Sequence, residues 1–211
     1  MPLRIRVKIC GITNLDDALL AASLGADALG FIFVPHSPRY LTPETARAII
    51  SHLPPFVTPV AVLVDESLAQ ANEIMTVSGC RVAQLHGGES PEYLARFTWS
   101  AYKGIAIATS SDLQAIAPYS NAQAVLLDTK VNGQLGGTGL SFDWQLARAA
   151  RQFGCPIILA GGLSPENVVE ALTIAQPDAI DVGSRVECEP GRKDPERLKR
   201  LFTVLHDYTC S

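Results

Sequence analysis

The sequence predicts an α/β fold, a single (β/α)8 TIM barrel. Three observations predict it. Short β-rich apolar runs recur about every 25 residues, the length of one strand plus one helix. The runs are almost continuously apolar, as in Val60-Ala61-Val62-Leu63-Val64, which suits parallel strands covered on both faces. There are eight of them. The competing architecture, an open doubly wound sheet, often carries a G-x-G-x-x-G turn, and no such spacing occurs.

In chain order, strands are expected to begin near Ile5, Ala28, Val60, Val82, Gly104, Ala124, Pro156 and Ala179. Four helix starts share one chemistry: Thr42-Pro43-Glu44, Ser90-Pro91-Glu92, Ser164-Pro165-Glu166 and Asp194-Pro195-Glu196. The first residue caps free N–H groups, proline at the first helical position loses no hydrogen bond, and the acid complements the dipole. They are assigned to helices 2, 4, 7 and 8. Helix 6, Phe142 to Phe153, follows the Gly-rich stretch 133–139. At 211 residues the barrel is compact against a typical ~250, so its loops are short. No linker or composition shift divides it, and residues 1–211 are expected to form one domain.

Composition excludes several classes. With 47% hydrophobic and 18% charged residues the chain is not disordered. Its net charge of −4 does not suit a nucleic-acid binder. The one basic cluster, Lys193 to Arg200, is interrupted by Asp194 and Glu196 and reads as a solvated helix face. No apolar run approaches the ~20 residues of a membrane span, and the N-terminus does not resemble a signal peptide. Cys10, Cys80, Cys155, Cys188 and Cys210 are odd in number and widely spaced, which points to reduced thiols in a cytoplasmic protein. No metal-ligand spacing and no Ser-His-Asp pattern is legible.

In such a barrel, reactive groups sit just after each strand's carboxyl end. Those positions are Cys10-Gly11, Pro35 to Tyr40, Asp65, His86-Gly87, Thr109, Asp128, Gly161-Gly162 and Gly183-Ser184, expected to converge on one mouth. Cys10 is either a buried small hydrophobe or a reactive thiol. Alternation puts Lys8 on its face, and an ammonium there would favour thiolate. Asp128 is a loop cap or a functional acid, His86 a hydrogen-bonded wall residue or a proton carrier, and Arg39 alone reads as a surface arginine. The stretch Ala160 to Pro165 joins strand 7 to a helix, and Val182-Gly183-Ser184 follows strand 8. Glycines there let backbone N–H groups approach an anion, so a phosphate site is expected after strands 7 and 8.

Six motifs, in order from about Val7 to Leu201, resemble one family. They are Val7-Lys8-Ile9-Cys10-Gly11-Ile12-Thr13-Asn14; Ser37-Pro38-Arg39-Tyr40; Gln84-Leu85-His86-Gly87; and Leu126-Leu127-Asp128. Then come Gly136-Gly137-Thr138-Gly139 with Phe142-Asp143-Trp144, and Gly161-Gly162-Leu163 with Pro165-Glu166-Asn167-Val168. The family is that of phosphoribosylanthranilate isomerase. The resemblance implies a cofactor-free barrel enzyme of tryptophan biosynthesis that performs an Amadori rearrangement of N-(5-phosphoribosyl)anthranilate to 1-(2-carboxyphenylamino)-1-deoxyribulose 5-phosphate. By it, Cys10 matches the general base and Asp128 the general acid. Arg39 matches the residue holding the anthranilate carboxylate. The backbone around Gly161, Gly162, Gly183 and Ser184 matches the phosphate site, and Gln84, His86 and Gly137 fall among the substrate-binding positions. The chemistry suits these types: a carboxyl kept protonated by partial burial can protonate the furanose oxygen, and a thiolate of near-neutral pKa can take the C2′ proton. The glycines between 133 and 139 would let loop 6 close over the site. The expected partner is a small phosphoribosyl substrate, with the protein a monomer or homodimer and no nucleic acid, membrane or metal involved.

One stretch departs from the family. Asp181-Val182-Gly183-Ser184-Arg185-Val186-Glu187 has Gly183 where a serine is usual and Arg185 where a glycine is usual. If position 185 needs φ > 0, the change would cost roughly 1–2 kcal/mol; otherwise Arg185 adds charge for the phosphate. Two other functions remain open: another sugar-phosphate isomerase or epimerase on the same barrel, and a non-catalytic phosphate-ligand binding barrel. Finally, Lys8 is charged within an apolar strand, and Asp181 lies in strand 8, which closes against strand 1. A buried Lys8–Asp181 ion pair beneath Cys10 is expected, because a lone buried charge would be too costly.

Overall fold

A computed structural model describes residues 4–131, 134–135 and 143–210. Eight parallel strands form the barrel: β1 (Arg6–Cys10), β2 (Ala28–Ile32), β3 (Thr58–Leu63), β4 (Val82–Leu85), β5 (Ser100–Ile107), β6 (Val125–Val131), β7 (Ile157–Leu159) and β8 (Ala179–Val182). Each pairs with its neighbour in sequence, β8 pairs with β1, and the ring closes. The expected barrel is present. Two strands start earlier than expected, β3 at Thr58 and β5 at Ser100. In β5, Tyr102 and Lys103 look like surface residues by type, yet both are buried because their polar tips find partners inside.

The helices are α1 (Leu15–Leu24), α2 (Pro43–Ile50), α3 (Leu68–Ser78), α4 (Pro91–Arg96), α5 (Trp144–Ala150), α6 (Val168–Ala175) and α7 (Pro195–Cys210). After β5 the connection is a 3-10 helix, Ser110–Tyr119, which contains Pro118. Thr42 and Ser90 cap α2 and α4 as their sequences predict, each accepting from a backbone N–H. Asp194 accepts from Glu196 and Arg197 at the start of α7. The helix after β7 begins at Val168, later than expected. Ser164-Pro165-Glu166 forms a preceding turn, in which Asn167 Oδ1 accepts from the Ser164 N–H at 2.8 Å. Asp143 caps α5, and the last turn of the expected helix 6, Arg151–Phe153, tightens to 3-10 geometry.

Strand alternation sorts the side chains. Val7, Ile9, Leu29, Phe31, Ala61, Leu63, Ala83, Leu85, Val125, Leu127, Ile180 and Val182 face outward and join helix residues such as Ala18, Ala46, Ala71 and Leu172 in one continuous core. The opposite parity faces inward. Val60, Tyr102, Leu126 and Ala160 fill the barrel's interior. The next inward positions toward the strands' carboxyl ends are polar, and they make the site.

Candidate active site

These inward positions open into one cavity of about 580 Å³, a size typical of small-molecule sites. Cys10 enters it from the end of β1 and Asp128 from β6. Gln84 and His86 line it from β4 and the residue beyond it, and Arg39 from the loop after β2. Gly161, Gly162, Gly183 and Ser184 close the β7–β8 side. Nine of the ten predicted site residues therefore meet. The tenth, Gly137, lies outside the described residues, as does most of the stretch 133–139 in which the loop closure was expected. Asp65 and Thr109, expected at the mouth, do not line the cavity. Asp65 Oδ1 accepts from the Gly88 N–H at 2.5 Å, and its own N–H donates to Glu89, so it ties two loops together. Thr109 donates its N–H to Asp112 at the start of the 3-10 helix.

The expected ion pair lies beneath Cys10. Lys8 and Asp181 are register partners across β1 and β8, and Lys8 Nζ donates to Asp181 Oδ2 at 2.8 Å, with side chains 6% and 7% exposed. Gly30 on β2 makes room for this arrangement: a Cβ there would stand 2.7 Å from Cys10 Sγ and 2.9 Å from Lys8 Cε. Burial works against the Lys8 charge, but Asp181, Cys10 and Tyr102 together hold its pKa well above the usual range. Burial also pushes the Cys10 thiol up; Lys8 opposes this, Asp181 adds to it, and the net pKa stays above the ordinary 9.0. The expectation of a near-neutral thiolate is thus corrected, because loss of hydration, with Asp181 adding to it, outweighs the ammonium groups of Lys8 and Lys193.

On the other side of the cavity the imidazole of His86 faces Asp128, with Nε2 3.7 Å from Oδ2. Burial, then the charges of Lys103 and Lys8, lower the His86 pKa to about 4, so the ring is neutral. Gly104 on β5 leaves space for it, since a Cβ there would collide with His86 Nδ1. Gln84 sits lower, 3% exposed, between His86, Lys8 and Tyr102.

Arg39 is not free-standing. Its guanidinium makes a two-point bond to Glu187, Nε to Oε1 at 2.9 Å and Nη2 to Oε2 at 2.7 Å. That bond to Glu187 raises its pKa further. Glu187 also accepts from Lys193 Nζ at 2.8 Å, and the same ammonium donates to the Cys10 and Gly183 carbonyls. Lys193 is fully buried in its side chain, which corrects the reading of a solvated basic face starting there. Glu187 supplies the compensating charge that makes this burial tolerable. Glu187 stood in a motif read for its backbone, and nothing in the spacing of Lys193 pointed inward. These two and Lys103 are the residues that sequence reasoning missed.

At the β7–β8 end, Gly161 and Gly162 have φ of 82° and 68°, a backbone that favours glycine. Arg185 lines the same end of the cavity. It lies in the short 3-10 segment Ser184–Val186 and is not among the positive-φ residues. Arginine here therefore carries no left-handed strain and brings a cation to the end of the cavity where a phosphate site is expected. Among the described residues, no group of three or more His, Cys, Asp or Glu side chains could hold a metal ion, and no helix is long and apolar enough to cross a membrane.

Residues 7–204 match the family model described as N-(5'-phosphoribosyl)anthranilate (PRA) isomerase. A relative from Geobacter metallireducens, the N-(5'-phosphoribosyl)anthranilate isomerase, is 47% identical over 200 residues, covering 94% of this chain and 97% of that protein. The crystal structure of phosphoribosyl anthranilate isomerase from Thermotoga maritima superposes with a TM-score of 0.91 at 38% identity, covering 96% of this chain and 99% of that one. A structure of such an isomerase in complex with reduced 1-(o-carboxyphenylamino)-1-deoxyribulose 5-phosphate gives 0.88 at 38% identity with the same coverage.

Proposed function

The chain belongs to the N-(5'-phosphoribosyl)anthranilate isomerase family, and from that premise we propose how its own residues divide the work. The reaction is the isomerisation of N-(5'-phosphoribosyl)anthranilate to 1-(2-carboxyphenylamino)-1-deoxyribulose 5-phosphate, an Amadori rearrangement in tryptophan biosynthesis. Asp128 is the general acid. It gives its proton to the furanose oxygen as the C1′–O bond breaks, leaving an iminium. Cys10 is the general base and takes the C2′ proton that the iminium has acidified. The enolamine then gains a proton at C1′ and loses the one on its C2′ hydroxyl, which leaves the ketone. Burial holds the pKa of the thiol up. The iminium supplies a positive charge beside it at the step that needs a thiolate.

Arg39, held by Glu187, takes the anthranilate carboxylate. The backbone of Gly161, Gly162, Gly183 and Ser184 takes the phosphate, with Arg185 adding charge. Gln84 and His86 line the floor between these ends, and Gly137 is a further substrate-binding position. The observation that carries this reading is the entry of Cys10 and Asp128 into one cavity, between a guanidinium and a glycine-rich anion end. The substrate is a small phosphoribosyl compound, and the protein acts as a monomer or homodimer without nucleic acid. We place it in the cytoplasm, where Cys10 stays reduced.

The test follows the fluorescence change as phosphoribosylanthranilate, made in situ, is consumed. Cys10→Ala and Asp128→Asn should each lower kcat by about 10²–10⁴ while KM changes little. A variant keeping more than about a tenth of the wild-type kcat would remove that residue from its role.

A further inference from the structure

We propose that Lys8 and Gln84 are positioning residues that fix the tautomer of His86, holding its ring proton on Nε2 toward Asp128. The proposal rests on the assignment of Asp128 as the acid and goes beyond it. The argument is one of donors and acceptors. A lysine ammonium can only donate. Lys8 Nζ lies 2.9 Å from one terminal atom of the Gln84 amide, so that atom is the oxygen. Tyr102 Oη, 2.9 Å from the same oxygen, can donate to it as well. The other terminal atom, Nε2, can only donate, and it stands 2.9 Å from His86 Nδ1. Nδ1 must therefore offer its lone pair. In a neutral imidazole the proton is then on Nε2, the nitrogen that faces Asp128 Oδ2 across 3.7 Å.

Burial and two facing cations keep the ring neutral beside the Asp128 carboxyl. Lys103 on β5 and Lys8 on β1 are cations that disfavour a second proton, Tyr102 is held neutral by burial, and Asp128 on β6 is the carboxyl it serves. A proton on Nδ1 would point at the Gln84 amine, donor against donor. The consequence for the reaction is directional. The Nε2–H faces Asp128 Oδ2 across 3.7 Å, and closing that gap in the substrate complex would make the hydrogen bond. A fixed N–H directed at Asp128 Oδ2 orients the carboxyl that hands its proton to the ring oxygen. It then stabilises the carboxylate once that proton is given up. The relay also joins the two halves of the site. The ammonium beneath the base orients, through one amide, the ring beside the acid.

The test is nitrogen NMR on histidine-labelled protein, with the His86 signals assigned by comparison with His86→Gln. In the wild type His86 should show an unprotonated Nδ1 and a protonated Nε2 across neutral pH, without titrating until about pH 4. A protonated Nδ1 would overturn the proposal. Gln84→Glu, close in shape, replaces the donor facing Nδ1 by an acceptor. It should move the proton to Nδ1, or add one there, and lower kcat roughly tenfold or more with KM changed less than about threefold. A KM effect alone, or a tautomer and kcat unchanged by Gln84→Glu, would overturn the proposal. The tautomer readout needs no turnover. An error in the role of Asp128 would appear separately, as activity retained by Asp128→Asn.

Discussion

On the β1–β8 side of the cavity an ion pair lies under the thiol; on the β4–β6 side a neutral imidazole faces the carboxyl. Both sides are buried, and burial alone would strip charge from either. The β1–β8 side keeps its lysine charged because Asp181 stands 2.8 Å away. On the β4–β6 side burial takes the charge from the histidine, and the cations Lys103 and Lys8 add to that effect. A carboxylate at hydrogen-bond distance holds the lysine charged against burial, whereas beside the histidine burial and two cations act in the same direction.

The largest effect should come from breaking the first side. Lys8→Met leaves Asp181 buried without its cation and should cost about 3–5 kcal/mol in urea unfolding. A loss below about 1 kcal/mol would mean that the pair behaves as an exposed one. The second side answers to pH. The folded His86 pKa of about 4 lies below the ordinary 6.5, so the unfolded chain binds the extra proton first. Stability from this group is full above pH 6.5 and is lost as pH falls toward 4, by about 3 kcal/mol over the window. His86→Gln should lack that part of the acid sensitivity, read as a flatter change in unfolding midpoint with pH. A slope equal to the wild type's would show that His86 is charged in the fold. The smallest effect concerns Arg39, whose charge Glu187 stabilises as Asp181 does that of Lys8. Arg39→Ala should raise KM about tenfold or more by losing a charged hydrogen bond of about 1.5–3 kcal/mol. An unchanged KM would favour a sugar phosphate without an aryl carboxylate.

The barrel was legible because its strands are nearly continuous apolar runs that recur about every 25 residues. So was the Lys8–Asp181 pair, since alternation on two adjacent strands places both inside. What stayed hidden shares a physical cause. Lys103 and Lys193 are buried by partners, Glu89 and Glu187, and by carbonyls that no local pattern announces. The early start of β5 follows from the same concealment at Tyr102 and Lys103. Thr109 and Asp65 occupy the right positions in the repeat, but their side chains close local turns. The protonation of Cys10 was misread because sequence shows a nearby lysine and conceals how deeply both are buried.

As proposed, the Cys10 thiolate is the base, and burial holds its pKa high. The pH dependence of kcat/KM tests it most directly, because the ascending limb reports the free enzyme's essential base. The limb should lie on the alkaline side of the ordinary thiol value of 9.0. In Cys10→Asp it should move to lower pH, following the weaker proton affinity of a carboxylate. A limb at the same pH in both proteins would contradict the claim, since the titrating base would then be another group.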